Sequence, residues 1–229
     1  MKVMILAAGR GARMRPLTDT LPKPLQTVDG RPLIGWVLQK LARSGFTDVV
    51  INHAHLGHMI EATLGDGSRY GVSIQYSPEA EALETAGGIR NALPLLGEAP
   101  FLVVNGDVFC DYDFALASKI AASLLQQNLL AHLVLINNPP HHLQGDFTLS
   151  KGKVANQGDP KLTFSGIGIY QPALFSSVQP GSKAQLAPLL IAAMGESKVS
   201  GEHFLGYWED VGTPERLEAL RHRVENRVL

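Results

Sequence analysis

A single cysteine, Cys110, stands in a chain of 229 residues. One thiol cannot close an internal disulfide, which points to a reducing compartment. No apolar run reaches 18 residues, so no membrane-spanning helix is expected, and the apolar stretch at residues 3–8 is too short for a signal-peptide core. Neither sign of charge dominates. The 20 Lys and Arg against 21 Asp and Glu leave a net charge of −1, with no basic stripe for nucleic acid and no acidic tail. No fixed-period repeat is present, a hexapeptide array included. No Gly-Lys-Ser/Thr triplet occurs, which excludes a Walker A loop, and the third glycine of a dinucleotide fingerprint starting at Gly9-x-Gly11 would fall on Met14. These absences leave a cytoplasmic globular protein that works on small molecules rather than nucleic acid or membrane.

What is present is concentrated first in Lys2–Leu25. Val3–Leu6 reads as a buried strand, and it runs into a loop of small residues through Ala8, Gly9, Gly11 and Ala12. Such a loop leaves backbone N–H groups uncovered, so an anion can approach closely. Two cations follow, Arg13 and Lys23. A strand, a bare loop and two cations suit a polyphosphate.

Beyond it, apolar runs at Val49–Asn52, Val72–Tyr76, Phe101–Asn105 and His132–Ile136 alternate with helical patterns. The helices are expected at Pro32–Ser44, Leu56–Leu64, from about Thr85, and at Phe114–Gln126 with Asp113 as N-cap. Strand–helix alternation predicts a doubly wound, mainly parallel sheet, with ligands beyond the C-terminal strand ends. The Gly9 loop and Asn105-Gly106-Asp107 should therefore meet at one edge. After residue 136 the pattern loosens. Short strands open to antiparallel pairing are expected at Phe147–Ser150, Lys153–Ala155 and Leu162–Tyr170, a further strand at Phe204–Trp208, and helices at Lys183–Met194 and from Pro214 to the C-terminus. Asp107 and Asp210 each sit just past a strand, beside a turn, where a carboxylate can hold Mg²⁺ together with phosphate oxygens and water.

The run Gly9-x-Gly11-x-Arg13-Met14-x-Pro16-Leu17-Thr18 followed by Pro22-Lys23-Pro24 resembles the signature loop of the sugar-1-phosphate nucleotidylyltransferases. That resemblance covers nearly the whole chain. It implies a Rossmann-like three-layer α/β/α fold of the GT-A-like kind, with a mixed, mainly parallel central sheet and a small sugar-binding β extension. One domain over 1–229 is expected, with 1–136 carrying the nucleotide and 137–229 the sugar and the second metal ligand. By resemblance, Arg13, Lys23 and Asp107 are catalytic, and Ala8, Gly9, Gly11, Ala12, Arg13 and Lys23 hold the triphosphate. Glu79, Gly87 and Gly88 fall in the segment that reads the base. Asn105, Gly145, Asp146, Gly166 and Lys183 fall in the sugar-phosphate site. Asp107 and Asp210 match the metal-binding positions, with Mg²⁺ as the implied ion. One departure is plain: the family's Leu-Gly-Thr-Ala-Gly appears here as Leu83-Glu84-Thr85-Ala86-Gly87, which leaves the base open on this motif alone.

The implied reaction is attack of a sugar 1-phosphate oxygen on the α-phosphorus of a nucleoside triphosphate. A phosphate monoester has a second pKa of about 6, so its oxygen is already largely ionised and no general base is needed. Within the family the motifs look most like the branch that transfers uridylyl from UTP to N-acetylmuramate 1-phosphate in cell-wall recycling, as a monomer or small homo-oligomer. The alternatives are a mannose- or glucose-1-phosphate enzyme using GTP or dTTP, and a catalytically silent subunit that binds sugar nucleotide. Other signals read as structural: Asp111-x-Asp113 as a turn and cap, His53-x-His55-x-x-His58 as no zinc site, and Trp36 and Trp208 as packing. His141-His142 lies in a polar loop near the expected sugar site and is read as solvated.

Overall fold

The structure, a computed structural model, describes residues 1–226. The first half runs β1 (Val3–Leu6), α1 (Leu17–Thr20), β2 (Thr27–Val28), β3 (Arg31–Pro32), α2 (Leu33–Arg43), β4 (Asp48–His53), α3 (Gly57–Leu64), β5 (Ser73–Pro78), α4 (Glu84–Leu96), β6 (Phe101–Asn105), β7 (Val108–Cys110), α5 (Leu116–Gln126) and β8 (Ala131–Ile136). The second half adds β9 (Phe147–Ser150), β10 (Lys153–Ala155), β11 (Lys161–Tyr170), α6 (Leu186–Gly195), β12 (Val199–His203), β13 (Trp208–Asp210) and α7 (Pro214–Glu225).

Nine strands form one sheet in the order β5-β4-β1-β6-β11-β8-β12-β10-β9. The first four are parallel, β11 runs antiparallel between β6 and β8, and β12 returns parallel to β8. Alternation along the strands divides the core in two. Val3 and Ile5 face α2, α3 and α5, while Met4 faces α4 and α6. All three side chains are fully buried, so β1 reads as a continuous apolar run rather than a half-polar one. Burial of each such side chain contributes about 1.5–3 kcal/mol. The result is a three-layer α/β/α arrangement. A third, smaller cluster of Met14, Val28, Leu33, Phe109, Val211 and Leu217 lies beneath α7.

Three expected elements differ. The strand placed at Phe204–Trp208 lies on either side of that segment, as β12 and β13, with Phe204–Tyr207 as the connection. Helix α6 starts at Leu186, which leaves Lys183 outside it. Helix α5 starts at Leu116, and Asp113 instead closes a turn by accepting the Ala115 N–H at 3.0 Å. Helix α7 begins at Pro214 under a Thr213 cap, as the sequence indicates, and any continuation past residue 226 lies outside the described residues.

Candidate active site

The loop after β1 is shaped by contacts that only small residues permit. Gly11 has φ +66°, and a Cβ there would meet Thr18 Cγ2 at 2.9 Å. Thr18 Oγ1 in turn donates to the Gly11 carbonyl at 2.8 Å. The loop's start is fixed from beneath. Asn52 Oδ1 accepts the Ala7 N–H at 2.9 Å, and Asn52 Nδ2 donates to Glu79 Oε1 at 2.7 Å. Glu79 Oε2 then accepts the Leu83 N–H at 2.8 Å. Asn52 and Glu79 are buried. The chain of bonds ties the loop after β1 to the entrance of α4.

A cleft of about 380 Å³ opens above this loop, with Ala8, Gly9, Arg10, Lys23, Asn52, Glu84, Thr85, Asn105 and Asp107 among its walls. Gly11, Ala12 and Arg13 lie farther along the loop, off those walls. Glu79 stands behind the wall as the strut just described. Gly87 and Gly88 also pack rather than line: the space a Cβ would take on each is filled by the Ser182–Ala184 backbone and by the Asn52–Glu79 pair, respectively. Glu84 takes φ +63°, a conformation suited to glycine.

Asp107 follows β6, whose last residue Asn105 sits beside Leu6 of β1. The Gly106 N–H reaches the Leu6 carbonyl at 2.9 Å. Asp107 then leads into β7, which pairs antiparallel with β13 so that Val108 faces Asp210. The Val211 N–H donates to the Asp107 carbonyl at 2.9 Å. This two-stranded ribbon brings Asp107 and Asp210, about a hundred residues apart in sequence, to adjacent backbone positions. Both side chains are mostly buried, at 16% and 21% exposure. Each carries a cationic partner: Lys23 Nζ donates to Asp107 Oδ2, and Arg216 Nη1 donates to Asp210 Oδ1. His141 Nε2 lies 3.1 Å from the same Asp210 oxygen. Beside them, burial pushes the Glu209 carboxyl upward, with Asp210 adding repulsion against the opposing pull of Arg216.

Glu84, Thr85 and Asn105 are shared with a second cleft of about 320 Å³, which Asp146, Phe147, Phe164 and Gln185 also line. The two therefore form one groove. Asp146 Oδ2 accepts the Phe164 N–H at 2.8 Å, and Oδ1 lies 3.0 Å from His142 Nε2. Gly145 (φ +62°) lies against Asn138 and Lys161, while Gly166 (φ +77°) sits at an irregularity of β11 against Asn105, whose amide occupies the space a Cβ would need. Lys183 lies off this groove and pairs with Glu81 at 2.7 Å, both exposed. His53 pairs with Glu61 at 2.7 Å, and no group of three metal-capable side chains occurs among the described residues. Sequence reasoning missed Asn52 and Arg216. Asn52 carried a signal, since a polar residue ends an otherwise apolar strand.

A mixed sheet with a glycine loop at the end of its parallel part, two aspartates at a ribbon and a groove extending past them defines a class. Residues 2–145 match the nucleotidyl transferase family, and the chain belongs to it. The N-acetylmuramate alpha-1-phosphate uridylyltransferase of Neisseria meningitidis serogroup B is 58% identical over 95% of this chain and 96% of its own length. The enzyme of that name from Caulobacter vibrioides is 32% identical over 96% of both chains. The solved structure of a Bacillus anthracis protein assigned as a glucose-1-phosphate thymidylyltransferase, in complex with a sucrose, superposes with a TM-score of 0.83 at 23% identity. It covers 97% of this chain and 94% of its own.

Proposed function

We propose that the chain transfers the uridylyl group of UTP to N-acetylmuramate 1-phosphate, releasing pyrophosphate and forming UDP-N-acetylmuramate for peptidoglycan recycling. The observation that carries the reaction class is that Asp107 precedes the ribbon residue Val108 that pairs with Asp210, with Lys23 and the glycine loop beside them. The choice of base and sugar rests on the 58% identical relative.

An oxygen of the sugar phosphate attacks the α-phosphorus. The new O–P bond forms as the bond from the α-phosphorus to the bridging oxygen of the β-phosphate breaks, and that oxygen leaves with the electron pair as pyrophosphate. Residues 1–136 carry the nucleotide. Ala8 and Gly9 present backbone N–H groups to the triphosphate from the cleft wall, Gly11 and Ala12 extend the same loop just beyond it, and Lys23 and Arg13 offset its charge. Residues 137–229 carry the sugar, with Asp146 as an acceptor for hydroxyls and Asn105 between the two ends of the groove.

Two hard-oxygen carboxylates at neighbouring ribbon positions, each already balanced by a cation, fit a divalent ion that completes its shell with phosphate oxygens and water. Asp107 and Asp210 would hold Mg²⁺, which supplies charge neutralisation at the reacting phosphate. Lys23 and Arg216, the cationic partners of these carboxylates, would also offset the charge of the substrate phosphates.

Pyrophosphate release tests this, with UTP, dTTP, GTP, ATP and CTP crossed against the 1-phosphates of N-acetylmuramate, N-acetylglucosamine, glucose and mannose. Preference for UTP with N-acetylmuramate 1-phosphate is expected, and Asp107→Ala should lower the rate by about 100- to 1,000-fold. Preference for GTP with mannose 1-phosphate, or dTTP with glucose 1-phosphate, would overturn the substrate assignment and keep the reaction. Nucleotide binding without release from any pair would overturn the reaction itself.

A further inference from the structure

Arg216, on the first turn of α7, faces Arg13 across Gly212. A Cβ built on Gly212 would lie 2.5 Å from Arg216 Nη2 and 3.1 Å from Arg13 Nη2. Both nitrogens being that close to one point, they are no more than about 5.6 Å apart. Two guanidinium groups at that separation repel one another unless an anion lies between them.

The acceptors at hand do not satisfy both. Asp210 and His141 engage Arg216 through Nη1, the other arm of the fork. Arg13 has no hydrogen-bond or ion-pair partner among the described residues, and its side chain is exposed. Arg216 Nη2 and Arg13 Nη2 therefore point at a common place with donors to spare. The elements fix this convergence. Thr213 caps α7 by accepting the Arg216 N–H at 3.4 Å, which sets the first turn, and Met14 and Val211 pack in one buried cluster, which holds the Arg13 loop against the β13 end. Gly212 leaves open the space where a side chain would separate the two cations.

We infer that Arg216 and Arg13 form a two-armed clamp for the pyrophosphate moiety, as the β- and γ-phosphates of the bound nucleotide and then as the leaving group. The inference rests on the nucleotidyl-transfer reading above and assigns Arg216 a catalytic role beside Arg13. Planar guanidinium forks suit the paired oxygens of a phosphate better than a point charge does. The nucleotide side is favoured over the sugar because Arg13 belongs to the loop after β1, whose earlier residues Ala8, Gly9 and Arg10 line the nucleotide end of the groove, with Arg13 just beyond those walls. A sugar carboxylate at the same place would be the competing occupant.

The experiment reads pyrophosphate directly and needs no sugar. Thermal protection of the whole protein by magnesium pyrophosphate is measured for the wild type, Arg216→Gln and Arg216→Lys. Reverse-direction kinetics with UDP-N-acetylmuramate and pyrophosphate accompany it. The expected result is protection in the wild type, its loss in Arg216→Gln, partial recovery in Arg216→Lys, and a KM for pyrophosphate raised by about 100-fold in the Gln variant, the scale of one charged donor lost. The KM for UDP-N-acetylmuramate should stay near the wild-type value. If both variants bind pyrophosphate as the wild type does, or only the sugar-nucleotide KM moves, the clamp is wrong. A wild-type protein that binds pyrophosphate but turns over no substrate pair would instead sink the functional reading and leave the clamp standing.

Discussion

Lys23 and Asp107 hold one another on the wall of the cleft, each under a fifth exposed. A lysine so placed answers the aspartate when the site is at rest and the substrate phosphates once they arrive. Lys23→Ala should lower kcat by about 100- to 1,000-fold. A thermal midpoint close to the wild type would assign the loss to chemistry. A kcat within a few-fold of wild type would remove Lys23 from the reaction. Glu79 acts differently. Its carboxylate takes the Asn52 amide and the Leu83 N–H, so Glu79→Ala leaves two buried donors without an acceptor. Each costs about 1–3 kcal/mol. Urea unfolding should show a loss of at least that size, and an unchanged midpoint would refute the strut. The resemblance pointed to Glu79 as a base-reading group. No signal in one sequence separates a side chain that touches a base from one that fixes the loop doing so.

At the scale of elements, the β7–β13 ribbon was the part least legible in the sequence. Each strand has three residues, too few for a period-two pattern to register. Asp107 and Asp210 were found through the turns that follow strands, while the pairing that unites them is long-range. Strand β12 was missed for a related reason. Val199-Ser200-Gly201-Glu202-His203 has little apolar character, and the aromatic run after it drew the strand assignment too far along the chain. Glu202 on that strand accepts from Tyr112 Oη at 2.6 Å, which joins β12 to the segment after β7. Hydrogen bonds from His132 and Tyr112 hold its carboxyl below the ordinary value of 4.5 despite burial. A depressed carboxyl contributes stability that is complete above 4.5 and fades as pH falls through its lower folded value. The urea midpoint should therefore drop more steeply below pH 4.5 in the wild type than in Glu202→Gln; parallel profiles would count against it. Gly166 marks the irregularity of β11, where a methyl group would collide with Asn105. Gly166→Ala should cost about 1–2 kcal/mol from the left-handed backbone alone and raise the KM for the sugar phosphate. Unchanged stability with an unchanged KM would show that the strand relaxes freely there.

Across the whole molecule, β1, β4, β5, β6 and β8 and the order of the helices between them followed from alternating apolar runs and glycine stops, while the short pairs β2–β3 and β7–β13 did not. The antiparallel run of β11 agrees with the looser pattern after residue 136, but its insertion between β6 and β8 was not legible, because pairing order depends on which faces meet. Phe101, on β6, is fully buried with Tyr170 and Phe175 around it. Phe101→Ala should cost about 3–5 kcal/mol by chemical denaturation. A smaller loss would mean that the cavity collapses. Ligand should act on the same scale. UTP with magnesium at 100 times its Kd stabilises a two-state protein by about 2.7 kcal/mol, which for a chain of this size is a rise in Tm of about 5–11 °C. No rise at saturating nucleotide would contradict the groove assignment.

Strand β11 touches β6 on one edge, β8 on the other, and β9 at its N-terminal end. The backbone amides of Gly168–Tyr170 are therefore shielded by two strands of the first half although β11 belongs to the second, and none of them meets solvent while both neighbours stay in place. Their deuterium uptake should be among the slowest in the protein and should report a single opening rate. The two halves of the groove thus share one lifetime: neither the nucleotide end nor the sugar end can come apart at the level of the sheet while the other persists.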